Sequence, residues 1–253
     1  MKVDVKEAIL FAISRYDYAY AHKLAVRAGS SIQSDLVLLL EALAERRELN
    51  IQSMMNLKLK ITGSDLADFQ LFCHENEADE QLVNYLYDLE AKLRNEQLID
   101  FIRAVSPAIY RIFMRLIRMQ IPDIDSYIHN SRGASYDRWK FEKMRNSGNP
   151  DLQNFHAEST VNSSSLTELI LQLNLSESVK ESAQQLRELE KSVRNPLAHL
   201  IKPFDEEELH RTTGFSSQHF MELLVSLAQE TGIVYRREPF YFDQANAVIE
   251  ALL

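Results

Sequence analysis

One cysteine, Cys73, stands in 253 residues, so no intramolecular disulfide can form and no thiolate cage for zinc can be built. Turn formers are scarce as well: six glycines and six prolines are about half the usual share. An all-β sandwich or barrel needs many tight turns, so this shortage argues for long helices with short joins. No uncharged apolar run approaches the roughly 20 residues that span a bilayer. The first residues, Met1 to Glu7, interrupt apolar side chains with charge and do not read as a signal peptide. Positive charge is also in deficit, with 28 Lys+Arg against 37 Asp+Glu and a net charge of −9. Taken alone, that balance counts against a nucleic-acid partner. The expectation is a soluble, cytoplasmic, all-α protein with no membrane association, forming one large or two modest domains.

The average hides a strong asymmetry. Between Lys92 and Asn146 there are 11 basic and 6 acidic residues, a net +5, while the rest of the chain has 17 basic against 31 acidic. A polyanion should therefore meet the middle of the chain.

Helical periodicity runs through most of the sequence. Ile9, Ile13, Tyr16 and Tyr20 share a face, and Leu36, Leu39, Leu40 and Leu43 repeat the pattern behind Ser34 as a cap. Ser64 reads as the cap of a helix carrying Leu66, Phe69 and Phe72. Leu82, Tyr85, Leu86, Leu89 and Leu93 follow, then Leu98, Ile102 and Val105. Ser106-Pro107 reads as a helix start, with Ile109, Ile112, Phe113, Leu116 and Ile117 behind it. Residues 146–165, with Ser-Gly-Asn-Pro and three consecutive serines, read as an exposed loop or insertion. Later helices are expected from Leu166, from Ser176 to Val193, and from Ser217 to Thr231, the last ended by Gly232 in a left-handed cap. A small β-hairpin around Glu238-Pro239 and a last helix capped by Asp243 complete the chain. There is no repeat, and no β-α-β alternation of the kind a Rossmann-type nucleotide domain requires.

The stretch richest in chemistry is Arg194-Asn195-Pro196-Leu197-Ala198-His199. Asn195-Pro196 matches a helix start, which would aim free backbone N–H groups and a partial positive charge at an anion. Arg194 offers a planar fork for phosphate oxygens, and His199 a side chain that can move protons. The other reading of the same residues is one continuous helix kinked at Pro196, which weakens the anion site. By spacing alone, an arginine and a histidine five residues apart form an ordinary surface pair more often than an active site.

This stretch resembles the R-N-x-x-x-H form of the HEPN ribonuclease motif. Two further stretches, Tyr16 to Ala21 and Asp100 to Pro107, resemble one branch of that family, the accessory ribonuclease of type III-A CRISPR systems (Csm six). The resemblance covers most of the chain. It implies a helical HEPN bundle in residues 91–253, preceded by a helical linker-type region in 1–90. It also implies a metal-independent endoribonuclease without a cofactor, cutting single-stranded RNA at a composite site of a homodimer in antiviral defence. The RNA's own 2′-hydroxyl would attack the neighbouring phosphorus, leaving a 2′,3′-cyclic phosphate and a 5′-hydroxyl. Carried over, His199 handles protons, Arg194 stabilises charge on the phosphoryl oxygens, and Asn195 orients the pair or caps the helix. Members carry an N-terminal Rossmann-like sensor, the CARF domain, whose ligand is cyclic oligoadenylate. Residues 1–90 read as helical instead, so direct binding of that activator is not expected of this chain. Two other classes compete: a catalytically silent RNA- or protein-binding dimerisation module, and a HEPN toxin held by an antitoxin.

Further candidates carry weaker signals. Arg111, Arg115 and Arg118 share one helical face, as an RNA-tracking ridge or as a solvated face. Tyr136, Trp139 and Phe141 interleave with Arg138 and Lys140; base stacking is one reading, and core packing is favoured over it. Cys73-His74 has no evident partner, and a buried thiol beside a surface imidazole is expected.

Overall fold

The computed structural model describes residues 4–61, 66, 69–129, 137–199 and 204–253, the side chains of 194–199 excepted. The first helices are α1 (Val5–Ser14), α2 (Tyr18–Ala28), α3 (Ser34–Arg47), α4 (Ile51–Lys58) and α5 (Glu77–Arg94). After α6 (Leu98–Gln120) come two short strands, β1 (Ile128–His129) and β2 (Arg138–Trp139). The remaining helices are α7 (Phe141–Arg145), α8 (Pro150–Gln153), α9 (Ser163–Gln172), α10 (Glu177–His199), α11 (Glu206–Thr213), α12 (Ser217–Glu230) and α13 (Tyr241–Leu252). The fold is all-α. Among the described residues, no helix is long and apolar enough to cross a membrane. The chain divides into two compact units: Met1–Asn95 with Val234–Leu253, and Glu96–Ile233.

In the first unit, polar side chains start the helices. Asp4, Asp17, Asn50 and Asn76 each accept a backbone N–H at the head of α1, α2, α4 and α5, which satisfies donors the helix leaves free. Consecutive helices α1 to α4 pack pairwise, and α13 packs on α1 and α5. The interior is unusually polar. Arg46 is wholly buried, and its Nη2 lies 2.7 Å from Glu80 Oε1. Its guanidinium also bonds Asn84 and the Leu71 carbonyl and sits 4.3 Å from the Tyr241 ring centre. Glu80 accepts in addition from the backbone N–H groups of Cys73 (2.9 Å) and His74 (2.8 Å). Around this core, Tyr16, Tyr18, Tyr87, Tyr235, Phe240, Tyr241 and Phe242 form one aromatic cluster. Burial, together with the Tyr16 hydroxyl's hydrogen bond to Asp243 (2.8 Å), pushes the Tyr16 hydroxyl up to about 12. The cysteine and histidine have partners after all. The Cys73 thiol is 3.4 Å from the Tyr87 hydroxyl, and His74 Nε2 accepts from the Val234 N–H at 3.1 Å.

The second unit is aliphatic inside. α6 packs on α9, α10 and α12, and α10 packs also on α9, α11 and α12. Phe101, Val105, Ile109, Ile112, Phe113 and Leu116 make the buried stripe of α6, at the three- and four-residue steps of a helix face. That stripe continues straight through Pro107, which lies inside the helix. The expected helix start at Ser106-Pro107 is therefore corrected. Pro107 and Arg103, whose carbonyl loses its helical donor, are both exposed, so water can bond the freed carbonyl and the buried face stays intact.

Other differences have similar local causes. The strands pair as Ile128↔Trp139 and His129↔Arg138, whereas the hairpin expected around Glu238-Pro239 is reduced to one bridge, Arg237↔Phe240. Phe240 precedes α13 and Asp243 lies in its first turn, so Asp243 is not the cap. Phe69 to Phe72 are not helical, and Ser64 lies outside the described residues. The 146–165 stretch is anchored rather than exposed throughout. Leu152, Phe155 and Val161 are buried, and Val161 N–H donates to Asp137 O at 2.9 Å. Gly232 does adopt the left-handed conformation after α12, at φ 86°.

Candidate active site

The candidate residues sit at the end of the long helix α10. Val179, Ala183, Leu186, Leu189 and Val193 are buried along it and hold it against α6, α9 and α12. The helix runs without a break to His199. Asn195-Pro196 therefore starts no helix, and of the two sequence readings the continuous one is observed. The consequence is electrostatic. Arg194, Asn195 and His199 lie at a helix C-terminus, which favours cations, rather than at an N-terminus, which favours anions. Charge for a phosphate has to come from side chains, not from free backbone N–H groups.

The side chains of these three residues lie outside the described residues, but the helical register fixes their positions. Asn195 and His199, four apart, share a face. Arg194 and His199, five apart, are separated by about 140° around the axis and about 7.5 Å along it. Position 197 continues the stripe of Val193. Position 199 falls on the opposite side.

One turn before Arg194, Glu190 is buried, at 3 % exposure. It accepts from Ser163 Oγ at 2.5 Å and faces Arg187 Nη1 at 3.4 Å. Ser163 opens α9, so this contact ties the two helices together beside the motif. From the sequence Glu190 carries no assigned role. Its place in the three- and four-residue steps of the stripe was the available signal.

The three arginines of α6 have separate fates. Arg115 donates from Nε to Thr231 Oγ1 (3.1 Å) and from Nη2 to Thr231 O (3.2 Å). Arg118 forms a fork on Asp125, both bonds 2.8 Å; those hydrogen bonds hold the Asp125 carboxyl below its usual range. Arg111 is exposed. The structure thus brings Arg111, Arg115 and Arg118 to one helix, but ties two of the guanidiniums to other partners.

The aromatic residues nearby serve packing. Trp139 is buried, donates from Nε1 to Ser165 Oγ at 3.0 Å, and meets Phe155 edge-on. Tyr136 lies outside the described residues. Of the cations between the aromatics, Arg138 is exposed and Lys140 donates to the Ser126 carbonyl at 3.2 Å, as does Lys143 of α7 at 3.1 Å. Among the described residues no group of three His, Cys, Asp or Glu could hold a metal ion.

A helical bundle with Arg-x4-His on its long central helix defines a class, the HEPN domains. The family described as "Cas_Csm6 HEPN domain" matches residues 71–250, and the chain belongs to that family. Among solved structures, Csm6 of Enterococcus italicus, bound to cyclic hexa-2′-fluoro-hexa-dAMP, is similar with a TM-score of 0.63 and 15 % identity. The match covers 98 % of this chain and 57 % of that one. A comparison with curated proteins finds no match.

Proposed function

We propose that the chain is an endoribonuclease of type III CRISPR defence that cuts single-stranded RNA at a site completed by a second copy. The observation that carries this is the Arg194-Asn195-x-x-x-His199 sequence, which lies inside the stretch matching the Csm6 HEPN domain. The chemistry follows from the residue types. The 2′-hydroxyl oxygen of the RNA bonds to the adjacent phosphorus as the P–O5′ bond breaks. One proton leaves the 2′-oxygen and one reaches the 5′-oxygen, and His199 is the group that moves protons there. Arg194 offsets the negative charge growing on the phosphoryl oxygens. Asn195, on the His199 side of the helix, orients the pair. The products are a 2′,3′-cyclic phosphate and a 5′-hydroxyl.

A second copy suits the same arrangement. One chain supplies one arginine and one histidine, 140° apart on their helix by about the ideal register, and a two-fold interface doubles both around one substrate. None of these steps needs a metal. The test is RNA cleavage in EDTA. His199→Ala is expected to lower the rate by about 100-fold or more, the usual range for a lost proton-transfer group. An undiminished rate in the variant would refute the assignment.

A further inference from the structure

We propose that the surface of β2 and α7, centred on Lys140 and Lys143 and flanked by Arg138, binds the phosphate backbone of single-stranded RNA. The choice of polyanion rests on reading the chain as an RNA-cutting enzyme; the cationic surface stands on its own geometry.

Lys140 Nζ and Lys143 Nζ donate to the same Ser126 carbonyl oxygen, at 3.2 and 3.1 Å. The two ammonium groups are thereby held within about 6 Å of each other. A carbonyl oxygen carries only partial charge, so two like charges are gathered with no net compensation. Among the described residues neither lysine pairs with a carboxylate. Lys143 is further fixed by the Tyr127 ring, 4.8 Å from its centre. An arrangement that repels itself in the free protein is relieved by an anion able to accept from both groups. A phosphodiester, with one charge over two non-bridging oxygens, has that chemistry.

The surroundings extend the patch. Strand alternation buries Trp139 and leaves Arg138 and Lys140 outside. Arg145 and Lys143 are exposed on α7. Arg111, on α6, is a separate exposed cation. The acids on these segments are Asp123, Asp125, Asp137, Glu142 and Glu158; Arg118 engages Asp125 and Glu158 accepts from Asn162. Several cations spaced along one surface suit a repeating backbone charge better than a single small anion, and such contacts carry no base preference.

The experiment measures binding of a labelled single-stranded RNA, fully 2′-O-methylated so that 2′-hydroxyl attack is blocked, across a salt series. For Lys140→Gln/Lys143→Gln the slope of log K against log salt should fall by roughly one to two, with affinity several-fold weaker at low salt. Lys140→Arg/Lys143→Arg should keep most of both. Arg138→Gln, on β2, should lower the slope by a smaller step. An unchanged slope in the lysine variant, whether affinity holds or drops, overturns the proposal, because lost ionic contacts must change it. Cleavage of unmodified RNA by the unaltered chain is scored separately. Its absence would sink the nuclease reading while leaving the binding result intact.

Discussion

The two units of this chain solve the problem of a core in opposite ways. In Glu96–Ile233 the buried residues of the central helices are mostly Ile, Leu, Val, Phe, Ala and Met at helical spacing, with Glu190 as a buried acid among them. In Met1–Asn95 with Val234–Leu253, a buried guanidinium, two buried acids and seven aromatic rings share the interior. An aliphatic core is held by area and shape, which tolerate exchange. A charged core is held by complementarity, because Arg46 and Glu80 each lose their hydration and recover it only through specific partners.

The same mild substitution should therefore fare differently in each. Arg46→Met keeps bulk but strands Glu80, and is expected to cost about 3–5 kcal/mol in urea unfolding. Removing Glu80 as well would not restore stability, since its carboxylate also satisfies the Cys73 and His74 backbone donors. Pro107→Ala, in the middle of α6, should stabilise the second unit by roughly 1–3 kcal/mol, because the missing helical hydrogen bond and the ring's crowding are both repaired. Ile112→Leu in that unit should cost less than about 1.5 kcal/mol. If Arg46→Met proved as mild as Ile112→Leu, the contrast between the cores would fail.

The same contrast explains what the sequence could reveal. α6, α10 and α12 are legible from their apolar steps because an apolar face makes most of their packing. The Arg46–Glu80 pair was not, because a charge in a helix looks the same whether solvated or buried; only tertiary structure brings Asn84, Leu71 and Tyr241 to Arg46. Proline is ambiguous twice in one way. Ser106-Pro107 and Asn195-Pro196 both match helix starts, yet both prolines lie within continuous helices. At Pro107 the exposed side of the helix tolerates a lost hydrogen bond, and local signals do not report which side that is.

For the site, the identities of Arg194, Asn195 and His199 came from sequence, but their setting did not. Of the two settings open to them, the continuous helix is observed. A phosphate there would be held by side chains rather than by free backbone N–H groups. The net charge of −9 is compatible with the proposed RNA surface, because positive charge is needed only locally, and Lys140 and Lys143 meet at one carbonyl of the second unit.

The central claim is that this chain cuts RNA through the 2′-hydroxyl with His199 moving protons. Its most direct measurement is the chemistry of the new RNA ends made by purified protein in EDTA. The account predicts 2′,3′-cyclic phosphate and 5′-hydroxyl termini, lost together with cleavage in His199→Ala. Products bearing a 3′-hydroxyl and 5′-phosphate, or equal cleavage by His199→Ala, would contradict it.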